Sequence, residues 1–203
     1  MSDFLRQKKF DDAINCYEKG IKIDPSYADI YNNLGTVYKE KKDYSRSEAF
    51  YKKSIELNSN LPESKNNLGN LYQLINKNDR AIECYLDSIK IKKDFFPGHY
   101  NLGIAYKSMG RFDEARIHLS ETIKINEDIY AAHRSLSEIT KYSVNDPHLD
   151  VLNKIYYSKK NKDKNKKELA FALGKAHEDL KDFDKAFKFY KEGNKLHRDI
   201  IDF

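Results

Sequence analysis

The chain has little of what catalytic, metal-binding or membrane-anchored proteins are built from. No apolar run in its 203 residues approaches the ~20 needed to span a membrane, and the N-terminus has no secretory-type apolar stretch. A soluble, cytoplasmic protein is expected. There is no H-E-x-x-H and no His/Cys cluster at metal spacing, so no metal is expected. Neither G-x-x-x-x-G-K-[ST] nor G-x-G-x-x-G occurs, so no phosphate cradle and no cofactor are expected. No Ser/His/Asp or Cys/His pairing stands out, and catalysis by this chain alone is not expected. Hydrophobic residues make up 39% of the chain, below the roughly 45–50% of globular domains, and 34% are charged. That balance argues against one compact core and for a solenoid, whose units contact only their neighbours while long helical faces stay wet.

What is present is a beat. Asn33-Leu34-Gly35, Asn67-Leu68-Gly69 and Asn101-Leu102-Gly103 follow one another at intervals of 34 residues, each with a tyrosine three residues on, at Tyr38, Tyr72 and Tyr106. Tyr31, Leu34, Gly35 and Tyr38 fall at i, i+3, i+4 and i+7, one stripe of a helix. Glycine inside a helix costs about 1 kcal/mol relative to alanine, so each must be offset by close packing of a partner helix. The period with its L-G-x-x-Y motif resembles the tetratricopeptide repeat, a helix–turn–helix unit. The expected fold is all-α: a right-handed solenoid of antiparallel helix pairs, about six units in one domain. The units are 1–27, 28–61, 62–95, 96–129, 130–166 and 167–199, with 200–203 an apolar tail.

Taken in order, the first unit is incomplete: its first helix lacks an opening turn or more, and its second carries Phe10, Ala13, Tyr17 and Ile21 before a stop at Asp24-Pro25. Pro62 and Pro97 suit helix starts, and Gly110 and Asn76 suit the left-handed position of the interhelix turn. Ser47 stands where alanine is usual and keeps the close approach. The fifth unit is irregular. Ser137 occupies its glycine position, Ser143-Val144-Asn145 reads as a linker, and Asp146-Pro147 starts a helix to about Lys159 with Leu149, Leu152, Ile155 and Tyr156 as its apolar stripe. The sixth recovers the pattern at Leu173, Gly174, Ala186 and Tyr190. The truncated first helix and the tail Ile200, Ile201, Phe203 leave both ends uncapped, open to end-to-end self-association or docking. Cys16 and Cys84 share a repeat position two units apart, very roughly 20 Å, beyond disulfide reach, and are expected as free thiols.

Charge is local. The net +5 comes mostly from Lys159–Glu168, where six lysines face two acids, leaving the remainder near neutral. A solvated loop explains this run, and nucleic-acid binding is disfavoured. His99 and His133 share the position of Tyr31 and read as small aromatic stand-ins. Asn33, Asn67 and Asn101 remain, in register beside the packing leucine. First helices line the concave side of such a superhelix, and an amide there can pair with the N–H and C=O of an extended peptide. Neighbouring positions are Asn32, Asn66, Asn70, Tyr100 and Arg134. The alternative is that these amides are solvated or tie helix to helix.

The N-L-G series looks like the repeats of O-linked N-acetylglucosamine transferases, and the resemblance implies concave asparagines holding peptide backbone. It stops at Ser135 and Ala172. Ala132-His133-Arg134-Ser135-Leu136-Ser137, Asp146-Pro147-His148 and Phe171-Ala172-Leu173-Gly174-Lys175-Ala176, with Tyr190 and Glu192-Gly193-Asn194, look like the repeat region of bacterial tetratricopeptide–sulfotransferase proteins. That resemblance implies a substrate-recruiting region whose catalytic domain lies elsewhere. Asn32, Asn66 and Tyr100 stand where a chaperone-type carboxylate clamp uses Lys and Arg, which disfavours that role. The leading expectation is a peptide-binding scaffold that is not an enzyme.

Overall fold

The interhelix turns show how the chain is folded back on itself. Lys42, Asn76, Gly110 and Lys181 adopt positive φ of 62°, 59°, 73° and 61°. The next amide in each case donates back to the carbonyl of Tyr38, Tyr72, Tyr106 or His177, at 2.8–2.9 Å. This closure across a left-handed residue ends one helix and aims the next against it. The asparagine and the glycine follow from sequence rules. The two lysines do not: their strain, about 1–2 kcal/mol for an L-residue, is outweighed by the closure.

The computed structural model describes residues 3–158 and 166–201, with side chains from 7 to 158 and from 166 to 198. Among them are eleven helices and no strand: α1 (Asp3–Ile23), α2 (Ala28–Glu40), α3 (Tyr44–Leu57), α4 (Pro62–Leu74), α5 (Asn78–Ile91), α6 (Phe96–Ser108), α7 (Phe112–Ile125), α8 (Tyr130–Ile139), α9 (Pro147–Tyr156), α10 (Lys166–Asp179) and α11 (Phe183–Ile201). The chain divides into two compact units, Met1–Ala105 and Tyr106–Phe203. In the first, α2 pairs with α3 and α4 with α5, and α1 lies against α2. In the second, α10 pairs with α11, α8 packs against α7 and α10, and α9 against α10.

One expectation is corrected at the start of the chain. Residues 3–23 form one continuous helix, not a truncated helix followed by a second. The position that carries a left-handed residue in later units falls at Lys8, and a first helix cut to some seven residues is too short to pack against a partner and stabilise a turn there. The Asp146-Pro147 start is as read: Asp146 caps α9 through its carboxylate to the His148 amide, with proline in the first turn. Leu149, Leu152, Ile155 and Tyr156 are all buried, with Leu169, Leu173, Ala176 and Phe189. The helix ends at Tyr156, short of the expected end near Lys159, and most of the lysine-rich run lies outside the described residues, as do the side chains of Ile200, Ile201 and Phe203.

Candidate functional site

Three pairs, α2/α3, α4/α5 and α10/α11, are seated on a ring. A Cβ built on Gly35 would come within 2.5 Å of the Tyr51 ring, and one on Gly69 or Gly174 within 2.6 Å of Tyr85 or Tyr190. The partner sits 16 residues further on every time. The glycine is therefore required by an aromatic ring of the second helix lying flat over it. Tyr51 and Tyr85 are fully buried, and burial pushes both hydroxyls up from the ordinary tyrosine range, so they act as neutral phenols. Each hydroxyl reaches polar side chains of the first helix. Tyr51 lies 3.1 Å from Thr36 Oγ1, and Tyr85 lies 2.9 Å from both Asn70 Oδ1 and Gln73 Oε1. Ser47, in place of alanine, is buried and donates to the Gly35 carbonyl at 2.7 Å. Its hydroxyl is thereby satisfied without widening the contact.

The asparagines tie successive first helices together. Asn67 Nδ2 donates to Asn32 Oδ1 at 3.0 Å. One period later Asn101 Nδ2 donates to Asn66 Oδ1 and Asn70 Oδ1, both at 2.9 Å. The rule is a donor reaching back 35 residues to the amide oxygen of the preceding helix. Stacking thus uses Asn67 and Asn101, each bond contributing about 0.5–1.5 kcal/mol net. Asn66 is buried; Asn32, Asn67, Asn70 and Asn101 are half-buried; Asn33 is exposed. Among the described residues no donor reaches Asn67 Oδ1 or Asn101 Oδ1, and Asn33 has no hydrogen-bond partner. The doublets Asn32-Asn33 and Asn66-Asn67 were the signal for this lattice, since one residue accepts and the next donates. The contributions of Thr36, Gln73 and Tyr85 to the same face had no signal in the period alone.

Arg134 belongs to the second unit and is held there. It reaches Glu138 at 3.2 Å and Glu168 at 2.8 Å, with its guanidinium 4.6 Å from the centre of the Phe171 ring. Tyr100 is half-buried on α6. The shared position of Tyr31, His99 and His133 has a clear job. The Tyr31 hydroxyl donates to the carbonyl six residues back at 3.0 Å, and Nε2 of His99 and His133 meets the equivalent carbonyls of Lys93 and Glu127 at 3.0 and 2.9 Å. All three peg the preceding turn. Cys16 and Cys84 are free thiols. Burial, with nearby acids adding to it, pushes the Cys84 thiol up to about 11, so it stays protonated. Among the described residues no three His, Cys, Asp or Glu side chains could together hold a metal ion, and no helix is long and apolar enough to cross a membrane.

Two-helix units, four of them closed by a left-handed turn and three seated ring-on-glycine, define a helical-repeat scaffold. The repeats are tetratricopeptide repeats: a TPR-repeat model matches residues 3–42, and tetratricopeptide-repeat models match 26–94, 96–129 and 167–199. No curated protein matches the sequence. Among solved structures, MamA is similar over 100% of this chain and 99% of its own, with 23% identity and a TM-score of 0.57. YrrB, a TPR protein with an unusual peptide-binding site, is similar over 90% of this chain and 93% of its own, with 18% identity and a TM-score of 0.64. The first TPR of Spaghetti (RPAP3), bound to the HSP90 peptide SRMEEVD, covers 57% of this chain and 92% of its own, with 16% identity and a TM-score of 0.54. At these identities the likeness is one of fold.

Proposed function

We propose that the chain is a protein-binding scaffold that holds an extended polypeptide segment against the face shared by α2, α4 and α6. The observation that carries this reading is the row of acceptors left over once the lattice has formed: Asn67 Oδ1, Asn101 Oδ1 and the whole exposed amide of Asn33. An extended peptide presents backbone N–H groups to such a row without regard to its side chains. Asn32, Asn66 and Asn70 support the row from behind, and Tyr100 supplies apolar contact beside it. Arg134, already shared between Glu138 and Glu168, is not needed. Three neutral hydrogen bonds of about 0.5–1.5 kcal/mol each give only millimolar-class affinity, so side-chain contacts of the ligand add the rest. Tetratricopeptide folds among the structural neighbours, one with a peptide-binding site and one bound to a peptide, support the class of ligand. A second reading, the substrate-recruiting region of a sulfotransferase, rests on the sequence resemblance of 132–137, 146–148 and 171–176, and gives this face the same task.

The test is selection of peptides from a display library on the intact chain, followed by N-methylation of each backbone amide of the best binder. Methylation at two or three alternate amides, and Asn33→Ala in the protein, should each weaken binding about five- to tenfold, with Asn33→Ala leaving the melting curve unchanged. Affinity indifferent to both changes would sink the acceptor-row reading.

A further inference from the structure

The second unit contains a polar chain that no repeat rule asks for. Nδ1 of His133, on α8, lies 2.9 Å from Nε2 of His148, on α9. Nδ1 of His148 lies 2.7 Å from the hydroxyl of Tyr142, in the segment between the two helices. The imidazole planes differ by 8° with centroids 5.2 Å apart, so the rings lie edge to edge in one plane, joined nitrogen to nitrogen. At the other end, His133 Nε2 meets the Glu127 carbonyl at 2.9 Å. His133 is fully buried and Tyr142 nearly so.

A carbonyl only accepts, and this fixes every proton in the chain. His133 carries its hydrogen on Nε2, so its Nδ1 accepts from His148 Nε2–H. His148 Nδ1 then accepts from the Tyr142 hydroxyl. Both rings are neutral and all their nitrogens are satisfied. An added proton goes either onto His148 Nδ1 directly or onto His133 Nδ1 with His148 reversed; both aim a His148 Nδ1–H at the Tyr142 oxygen and deprive the tyrosine hydrogen of its acceptor. We propose that this chain is an acid-sensitive latch: protonation of the His133–His148 pair releases α8, α9 and the segment between them from α10.

The surroundings set the sign. Burial holds His133 below the ordinary imidazole range, against the opposing pull of Glu127 and Asp128 in the turn before α8. Burial, with His133 adding to it, lowers His148 to about 3. Asp146 caps α9, and Asp179 of α10 accepts the Tyr142 amide at 3.1 Å. Both imidazoles, His133 and His148, titrate lower in the closed form than in an opened one near 6.5. The open form therefore binds more protons, and the closed form loses stability as pH falls from about 6.5 toward 3. Arg134 moves with α8, and its contacts with Glu168 and Phe171 go when the latch opens.

Hydrogen exchange by mass spectrometry on the whole chain tests this, with rates corrected for intrinsic pH dependence. Protection across 130–156 should fall at least tenfold between pH 7.5 and 5.0 while 62–91 changes less than twofold. Parallel change in the two regions, or none in either, overturns the proposal. Tyr142→Phe frees His148 Nδ1 to take a proton unopposed and should move the opening midpoint to higher pH; an unchanged midpoint counts against the latch. His148→Gln should flatten the pH dependence of 130–156, and a dependence as steep as in the parent chain overturns it. Nitrogen-detected NMR at pH 7.5 should find both imidazoles as Nε2–H tautomers, and an Nδ1–H tautomer at His133 contradicts the chain as drawn.

Discussion

The α4/α5 pair and the α8/α9 segment solve one problem in two ways. In the first, Gly69 receives the Tyr85 ring, and the tyrosine hydroxyl reaches Asn70 and Gln73. In the second, Ser137 holds the glycine position and the residue 16 further on is Asn153, so no ring stands at the spacing that seats the other pairs. Ser137 folds its hydroxyl back to the Arg134 carbonyl at 2.7 Å, and Asn153 bonds the Leu149 carbonyl. The α8 helix is 10 residues long where α4 has 13. What binds the α8 end of the segment to the α9 end is the His133–His148–Tyr142 chain. A seat made by shape survives any pH, whereas a seat made by proton positions does not. The comparison shows that a repeat can lose its packing motif and keep its place in the stack if a buried hydrogen-bonded network replaces it.

The largest effect should come from removing the ring. Tyr85→Ala leaves a fully buried cavity and should lower stability by about 3–5 kcal/mol, with Gly69→Ala about 1–3 kcal/mol because its methyl meets the same ring. Urea titrations read both, and a Gly69→Ala protein as stable as the parent would break the ring-on-glycine account. Next, Ser137→Gly should not restore anything. With no ring to receive, it removes the bond to Arg134 and adds the helix cost of glycine, a loss of about 1 kcal/mol; a gain in stability would show that a latent seat exists at α8. Smallest is the contrast between two asparagines of identical register. Asn67→Ala removes a helix-to-helix bond and should cost about 1 kcal/mol, whereas exposed Asn33→Ala should stay within about 0.5 kcal/mol. Equal effects would erase the distinction between lattice and open rung.

Much of this was legible because the rules are local. Pro62 and Asp146-Pro147 mark helix starts, and Asn76 and Gly110 mark left-handed turns, through constraints that act within a few residues. The 34-residue period placed each asparagine but could not give its direction, since a half-buried amide pointing to a ligand and one pointing to the next helix look alike in sequence. Lys42 and Lys181 hide left-handed turns because tertiary closure overrides their own preference. The continuous α1 escaped because a period predicts where a turn belongs, not whether the shortened helix before it can sustain one. His148 was invisible as a partner of His133: it lies off the repeat register, in the one segment where the period says nothing.

The doublets Asn32-Asn33 and Asn66-Asn67 carry a consequence for how such a chain grows. Each places a socket and a plug on adjacent residues, so a unit bearing both can be copied beside itself and every new junction closes by the bond already used at the old one. A duplicate of residues 62–95 would couple to its parent as Asn67 couples to Asn32, and pass on an intact socket to Asn101. At residue 100 the socket becomes tyrosine, and the grammar ends. Lengthening by tandem duplication is therefore open before residue 96 and closed after it, so length can vary there without a new interface being invented.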